Sequence, residues 1–317
     1  MQRTVLITGS TGFIGNAVLR SLNKRQGVRS LALVRAATES EKSSPDGVIR
    51  VVADLQQPGS LAGICDGVEV LVHCASYVGP DPELCDLVNR AGTESLVAEA
   101  VRAGVKRIVS LSTASVYGDG PHRALSEEAV APAPVSAAST SRLAAETYVR
   151  EAGGCVVRPH LVYGPGDRWV VPTLSALFQQ LPGWVGGGVA VTSLIDVDAL
   201  GRAMAQLAAD PVSWPAGGVL HAAHPEPVAI RDIGATLAGE LGITVPGAGD
   251  AMSLDEARAH FRQIGARERY LSMLSTDHWY DASRLWAATG CTPGPAFAEG
   301  LARSVPWYRQ YLPQPGR

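Results

Sequence analysis

A glycine-rich turn near the N-terminus constrains the fold of this chain more than any other feature. The segment "VLITGSTGFIGNAVLRSL" leads from an apolar strand pattern through three evenly spaced glycines into an amphipathic helix pattern. Such a turn lets the backbone approach a pyrophosphate, which the free N–H groups and the dipole of the helix N-terminus attract. Its position between the first strand and the first helix predicts a dinucleotide site rather than a glycine turn without a ligand. The predicted site residues in the turn are Gly9, Thr11, Gly12, Phe13, Ile14 and Gly15.

Strand and helix patterns alternate through the first half of the chain. Near-continuous apolar runs occupy residues 5–8, 31–34, 48–53, 68–74, 107–112 and 155–158. Helix patterns at 13–25 and 84–103 separate some of them, and a polar loop rich in proline and glycine is predicted at 119–135. This alternation predicts an α/β fold of the Rossmann type, a doubly wound parallel sheet with helices on both faces.

The residue that follows the second strand bears on which dinucleotide fits. An acidic side chain at this position binds a free ribose 2′-hydroxyl. This chain reads "ALVRAA" and places Arg35 there, and a guanidinium suits a 2′-phosphate. The sequence therefore favours NADPH/NADP over NADH, with a solvated arginine as the alternative. We expect the NAD(P)-binding domain at 1–168 plus 190–224, and a smaller substrate-binding lobe at 169–189 plus 225–317.

The chain resembles the extended short-chain dehydrogenase/reductases. The matching motifs run in order over most of the chain: "TGSTGFIG" at 8–15, "DL" at 54–55, "VLVHCA" at 70–75, "NRAGT" at 89–93, "VSLSTASVYG" at 109–118, "RPHLVYGPGD" at 158–167 and "LIDVDAL" at 194–200. The resemblance implies an adenine site, a ribose contact, a polar support below the site and a carboxamide contact after the proline. The further cofactor residues that it implies are Asp54, Leu55, Cys74, Ala75, Ser76, Asn89 and Pro159.

The proton relay of that family is missing from this chain. The family places a Ser or Thr at the end of the fifth strand and a Tyr-x-x-x-Lys pair on the next helix. Alignment of "VYG" puts the hydroxyl at Thr113, with Ser115 beside it, and alignment of "SRLAAE" puts the pair at Ala138 and Arg142. The only lysines are Lys24, Lys42 and Lys106, and none has a tyrosine four residues upstream. Arg142 can bind ribose hydroxyls and stabilise negative charge, but a guanidinium does not pass a proton at neutral pH.

Three proton sources stay open for a reduction at this site. The first is another side chain, with His160 as the candidate catalytic residue beside Thr113 and Ser115, and with Tyr77, Tyr117 and Tyr163 as further options. The second is water. The third is the substrate, because a phenol beside the ketone, with a pKa near ~10, is far more acidic than the alcohol being formed.

The sequence thus predicts an NADPH-dependent ketoreductase that needs no family tyrosine. Ketoreductases of angucyclinone antibiotic biosynthesis are the type that the chain resembles, since that type also departs from the Tyr/Lys pair. This resemblance implies an aromatic polyketide ketone as substrate. A nucleotide-sugar reductase or epimerase, and a sensor protein that binds NADPH without chemistry, are the alternatives.

Composition and charge limit the partners. The formal net charge is -3, with no block of like charge, so we expect no nucleic-acid partner. The uncharged segment 169–195 is broken by prolines and glycines, so we expect no membrane span. Five scattered cysteines without a CxxC spacing predict a reducing cytoplasm and no metal site. The start of the chain predicts no signal peptide, and a homodimer is the expected assembly.

Overall fold

A parallel β-sheet lies at the centre of the computed structural model, which describes residues 2–36, 47–267 and 269–312. In chain order the strands are β1 (Arg3–Thr8), β2 (Val28–Val34), β3 (Ile49–Val52), β4 (Val70–His73), β5 (Arg107–Leu111), β6 (His122–Leu125), β7 (Cys155–Pro159), β8 (Leu161–Tyr163), β9 (Trp184–Val185), β10 (Val191–Thr192), β11 (Leu194–Asp196), β12 (Val219–Ala222), β13 (Val228–Ala229), β14 (Ala251–Met252) and β15 (His278–Tyr280). Seven of them form one sheet in the order β12-β7-β5-β4-β1-β2-β3, and every pairing in it is parallel.

Helices cover both faces of that sheet, as the alternation of patterns predicts. The α-helices of the described residues are α1 (Phe13–Asn23), α2 (Pro82–Cys85), α3 (Gly92–Arg102), α4 (Ala137–Glu151), α5 (Val170–Phe178), α6 (Val197–Ala209), α7 (Ile230–Leu241), α8 (Leu254–Gln263), α9 (Arg269–Ser275), α10 (Ser283–Thr289) and α11 (Phe297–Tyr311). A π-helical segment, Asp86–Ala91, joins α2 to α3. The predicted Rossmann-type α/β fold is confirmed.

Apolar packing fixes the two layers of helices. On one face, α1 and α6 pack so closely that a Cβ on Gly201 would lie 2.8 Å from the backbone carbon of Ala17. On the other face, buried side chains of α3 such as Leu96 pack with Leu6 and Leu71 of the sheet. A third apolar cluster joins Phe178 and Trp184 to helices α7, α8 and α11, within the part of the chain for which the sequence predicts the substrate-binding lobe.

One segment differs from its predicted structure. Residues 119–135 are predicted as a loop, but 122–125 form β6, which pairs in parallel with β15. The pairing partner lies about 150 residues away, through the contacts His278 with His122 and Tyr280 with Leu125. A strand held by so distant a partner leaves no local periodicity in a run rich in proline and glycine.

The order of the strands places the carboxyl ends of β1 and β4 next to each other at the centre of the sheet. Chain connections leave this point in opposite directions, toward β2 and β3 on one side and toward β5, β7 and β12 on the other. In open α/β sheets, ligands bind in the crevice outside such a switch point. The topology therefore positions the glycine turn, which follows β1, beside the residues that follow β4.

Candidate active site

The backbone of the glycine turn is packed too closely for a side chain at Gly9 or at Gly15. A Cβ on Gly9, whose φ is 69°, would lie 2.6 Å from the backbone nitrogen of Ala75. A Cβ on Gly15 would lie 2.1 Å from the carbonyl oxygen of Gly9. Gly12 begins the helix without a side-chain cap, and the first turn of α1 holds no acidic residue. The helix N-terminus therefore keeps its N–H groups available for an anion.

A cleft of about 690 Å³, which we call the glycine-turn cleft, opens above this turn. Its floor runs from the end of β1 past the end of β4, and Arg35 lies at the far end, after β2. Tyr77 and Arg50 also line it. Among the residues for which the sequence predicts cofactor contacts, the cleft is lined by Gly9, Thr11, Gly12, Arg35, Asp54, Leu55, Cys74, Ala75 and Ser76.

Hydrogen bonds below the cleft hold its floor in place. The hydroxyl of Thr8 contacts Nδ1 of His73 at 2.7 Å and accepts the N–H of Ala75 at 3.2 Å. Nε2 of His73 contacts the hydroxyl of Thr93 at 2.9 Å. Burial, and then the charge of Arg142, lower the pKa of His73 to about 4, so this imidazole is neutral at physiological pH and links β1, β4 and α3.

Asn89 holds the segment that follows β4. Its side-chain oxygen accepts the N–H of Tyr77 at 2.7 Å, and its amide donates to the carbonyl of Tyr77 at 2.8 Å and to the hydroxyl of Ser141 at 3.0 Å. Asn89 is buried within the π-helical segment. These hydrogen bonds fix the backbone of Tyr77, which lines the glycine-turn cleft.

A second cleft, of about 410 Å³, meets the other side of α1, and we call it the Arg142 cleft. Three polar side chains of the predicted site line it: Ser115, Arg142 and His160. Thr113 begins the short 3-10 turn that carries Ser115, and its hydroxyl accepts the N–H of Ser115 at 3.1 Å. The other lining residues are apolar or aromatic (Phe13, Val78, Leu161, Val162, Trp169, Val170, Tyr270 and Met273), apart from Asp167, Thr173 and Arg269.

Helix α4 brings Arg142 to this cleft. Ser136 and Ser139 form a capping box at its N-terminus, so Ala138 and Arg142 lie in the first two turns. Nη2 of Arg142 donates to the carbonyl of Ser112 at 3.2 Å, while its buried Nε has no hydrogen-bond partner among the described residues. Burial lowers the pKa of Arg142 to about 10. The guanidinium thus stays charged at neutral pH and has a donor left for a ligand.

His160 follows β7 and faces the same cleft. Its ring lies 5.6 Å from His278 and 5.3 Å from Tyr280, between ring centroids. Its buried Nε2 has no hydrogen-bond partner among the described residues. Burial, then the neighbouring His278 and His122, lower its pKa to about 3. A neutral imidazole at pH 7 can bind a ligand, but it holds no imidazolium proton to donate.

A buried polar network behind Arg142 was not predicted. Nε of Arg158 donates to Glu146 at 2.9 Å and Nη1 donates to the hydroxyl of Tyr117 at 2.7 Å. Tyr117 in turn contacts Nε2 of His221 at 2.7 Å, and the hydroxyl of Ser112 donates to Glu146. Ser112 therefore accepts from Arg142 through its carbonyl and donates to Glu146 through its hydroxyl. In the sequence, the ion pair of Arg158 and Glu146 corresponds only to the "R" of "RPH" and the "E" of "SRLAAE".

The described residues contain neither a metal-binding cluster nor a membrane-spanning helix. Across 2–36, 47–267 and 269–312, no group of three or more His, Cys, Asp or Glu side chains is arranged to hold a metal ion. In the same residues, no helix combines the length and the apolar character needed to cross a bilayer.

Comparison with known proteins agrees with the fold and the glycine turn of this chain. Residues 5–223 match the model of the NAD dependent epimerase/dehydratase family. The chain belongs to that family. UDP-glucose 4-epimerase of Vibrio cholerae is 31% identical over 57% of this chain and 58% of its own length. A 4-hydroxy-2-methyl-3-oxo-4-farnesyl-3,4-dihydroquinoline-1-oxide ketoreductase of Stigmatella aurantiaca is 30% identical over 60% of each chain.

A solved structure supports the fold over nearly the whole chain. The dTDP-glucose 4,6-dehydratase DesIV of Streptomyces venezuelae, with NAD and TYD bound, superposes with a TM-score of 0.73 over 97% of each chain at 23% identity. The two curated relatives, by contrast, match over about three fifths of their length. The epimerase/dehydratase family is NAD-dependent, and the tight glycine turn and the glycine-turn cleft of this chain fit a nicotinamide dinucleotide.

Proposed function

We propose that this protein is an NADPH-dependent ketoreductase that reduces a ketone to an alcohol on an aromatic polyketide of the angucyclinone type, in antibiotic biosynthesis. The observation that carries the proposal is the composition of the Arg142 cleft. The family resemblance aligns Ala138 and Arg142 with its Tyr and Lys, and more than half of the residues that line the cleft are apolar or aromatic.

The residues of the glycine-turn cleft would hold the cofactor. Gly9, Gly12 and Gly15 would accommodate the pyrophosphate at the start of α1, and Arg35 would face the adenosine ribose. When bound, the cofactor supplies a hydride. The Arg142 cleft would hold the ketone against Phe13, with Thr113 and Ser115 at the carbonyl and Arg142 near the developing negative charge.

The proton is proposed to come from the substrate phenol or from water. A phenol that is hydrogen-bonded to the ketone can give its proton to the nascent alkoxide and become a phenolate, which water then reprotonates. His160 is neutral because burial lowers its pKa to about 3, so it is better suited to hydrogen bonding than to acid catalysis. General acid–base assistance is typically worth ~10²–10⁴ in rate, which sets the expected contribution of the phenol.

The same reasoning favours reduction over epimerisation. An epimerase that oxidises a sugar hydroxyl needs a base on the protein to accept the hydroxyl proton. Ala138 offers none, and an imidazole with a pKa of about 3 is a weak base. A ketone reduction, in contrast, can take its proton from the substrate itself.

A cytoplasmic location and a homodimer belong to the proposal as predictions from the sequence.

An NADPH-consumption assay tests the proposal. The substrates are an o-hydroxyaryl ketone, its methyl ether and UDP-glucose. We expect turnover of the o-hydroxyaryl ketone and a rate ~10²–10⁴-fold lower for its methyl ether. We expect no turnover of UDP-glucose. Equal rates for phenol and ether would overturn the substrate-donor mechanism. Turnover of the sugar nucleotide would support the nucleotide-sugar alternative, and tight NADPH binding without consumption would support the sensor.

A further inference from the structure

Trp169 is an exposed aromatic residue on the wall of the Arg142 cleft. It is 63% exposed although it lines a cleft. All six tryptophans of the chain lie within the described residues, and Trp169 alone among them is exposed. Val78, which follows β4, is also exposed and lines the same cleft. Exposed apolar side chains that gather at one concave site indicate a binding surface, whereas scattered ones need no explanation.

A buried carboxylate holds the backbone that carries Trp169. Oδ1 of Asp167 accepts the N–H of Trp169 and the N–H of Val170, each at 2.8 Å. Its Oδ2 accepts the N–H of Val171 and the hydroxyl of Tyr308, each at 2.9 Å. These four hydrogen bonds fix the start of α5. Because the indole stands on an ordered helix start, a ligand that contacts it does not have to order the backbone first.

The phenylalanine and the tyrosine of the cleft are already engaged with other groups. Phe13 packs against the apolar core, and a Cβ on Gly166 would lie 2.9 Å from its ring. The guanidinium of Arg269 lies over the ring of Tyr270, 5.1 Å from its centroid. The indole of Trp169, by contrast, has no hydrogen bond, ring contact or overlying cation in the part of the chain that the structure describes. Trp169 therefore offers a free aromatic face to a ligand.

The surroundings of this face favour an aromatic ring as its partner. An indole face pairs with another aromatic ring or with a cation. A cation is disfavoured here because Arg142 and Arg269 line the same cleft. The cleft volume of about 410 Å³ lies in the range of small-molecule sites.

We propose that Trp169 stacks against the fused rings of the ketone substrate and is a specificity-determining residue of the Arg142 cleft. The inference rests on the proposed ketoreductase function and deepens it, since it names the residue that selects a fused-ring ketone over a single-ring one. A second fused ring gains contact with the indole, whereas a single-ring ketone leaves the indole exposed. Stacking stabilises the bound substrate and the transition state alike, so the selectivity belongs in KM and not in kcat.

Two ketones that differ by one fused ring test the inference. Both 2′-hydroxyacetophenone and 2-acetyl-1-naphthol carry a phenol beside the ketone. We measure kcat and KM with NADPH, and Kd with NADP⁺ bound, for the wild type, Trp169→Phe, Trp169→Leu and Trp169→Ala. We expect the wild type to prefer the two-ring ketone by about tenfold in KM and Kd, as an aromatic contact with its buried area supplies. Trp169→Ala should lose this preference with kcat kept, Trp169→Phe should keep most of it, and Trp169→Leu, which is apolar without a flat face, should fall between them.

Val212→Ala is the matched control, because Val212 is 72% exposed and lines neither cleft. It should leave the preference unchanged. A wild type that binds the two-ring ketone more tightly but reduces neither ketone would contradict the proposed function, while the Kd ratios of the variants still decide on Trp169. A preference that is absent from the wild type, or unchanged in Trp169→Ala, would overturn the role of Trp169 alone. Equal weakening of both ketones would show a structural role and would also overturn it. If Trp169→Ala does not fold, Trp169→Leu decides on the same ratio.

Discussion

Gly15 shows how much of the cofactor site depends on a single missing side chain. Its Cβ would lie 2.1 Å from the carbonyl oxygen of Gly9, a distance that real Cβ atoms do not reach without a shift of the backbone. The glycine spacing could be recognised in the sequence because this steric constraint is local. The position of Arg35 could also be predicted locally, because this residue directly follows the second strand.

Gly15→Ala should therefore weaken NADPH binding by at least ~100-fold, since the turn must open to admit the methyl group and the N–H groups then lose their aim at the anion. The measurement is the dissociation constant of NADPH by fluorescence titration. Gly239→Ala is the control, because a Cβ at this position of α7 meets nothing within 4 Å. An affinity equal to that of the wild type in Gly15→Ala would contradict the assignment of the turn.

Side chains that act through distant partners could not be read from the sequence. Glu146 looks like one polar residue in a helix tail, yet it is 4% exposed and pairs with Arg158, which is 3% exposed. His160 was a candidate proton donor by its position after Pro159. Burial is the main reason why the pKa of His160 is low. The rings of His278 and Tyr280 that pack against it come from β15, more than a hundred residues away in the chain.

At the scale of elements, one helix organises the catalytic side of the site. Three side chains of α4 make these contacts. The hydroxyl of Ser141 accepts a hydrogen bond from the amide of Asn89, and Arg142 donates to the carbonyl of Ser112. The carboxylate of Glu146 accepts a hydrogen bond from Arg158. These contacts tie α4 to the π-helical segment, β5 and β7. The helix itself is implied by the family resemblance through the segment "SRLAAE", whereas its contacts depend on how the sheet orders β5 next to β7.

Glu146→Gln should destabilise the fold strongly, because it leaves the buried Arg158 without its counter-charge. Breaking a buried ion pair from one side typically costs ~3–5 kcal/mol. The free energy of unfolding from urea titration measures the loss.

Glu299→Gln is the matched control, since its ion pair with Arg303 has both side chains more than 60% exposed. An exposed pair is worth only ~0–1 kcal/mol. Similar losses for the two variants would show that the Glu146 pair does not support α4 as described.

At the scale of the whole molecule, the parallel sheet gathers the ends of its strands into one crevice, and buried neutral histidines support it. His73 lies below the glycine turn and His221 lies at the end of the network from Glu146. Burial, the largest cause for each, lowers both pKa values to about 4. The parallel sheet with helices on both faces was predictable from the alternation of elements. The neutral state of these histidines was not, because it depends on burial between distant segments.

This burial makes stability depend on pH in a defined direction. Below pH ~6.5 the unfolded chain takes up a proton on each of these histidines, while the folded chain does not until about pH 4. Each therefore contributes stability above pH ~6.5 that is lost as the pH falls toward 4, on the order of 3 kcal/mol for His73. Urea titrations at pH 7.5 and 4.5 should show a smaller difference for His73→Gln than for the wild type. An identical difference would contradict a neutral buried His73.

We propose that this molecule directs a hydride from NADPH to a ketone without a family tyrosine. Hydride transfer is followed with NADPH that carries deuterium in both positions at C4 of the nicotinamide, an o-hydroxyaryl ketone and the unmodified protein, and the alcohol is analysed by mass spectrometry and NMR. We expect one deuterium on the carbinol carbon of the product. An alcohol without deuterium at that carbon, or no alcohol at all while the cofactor stays bound, would contradict it.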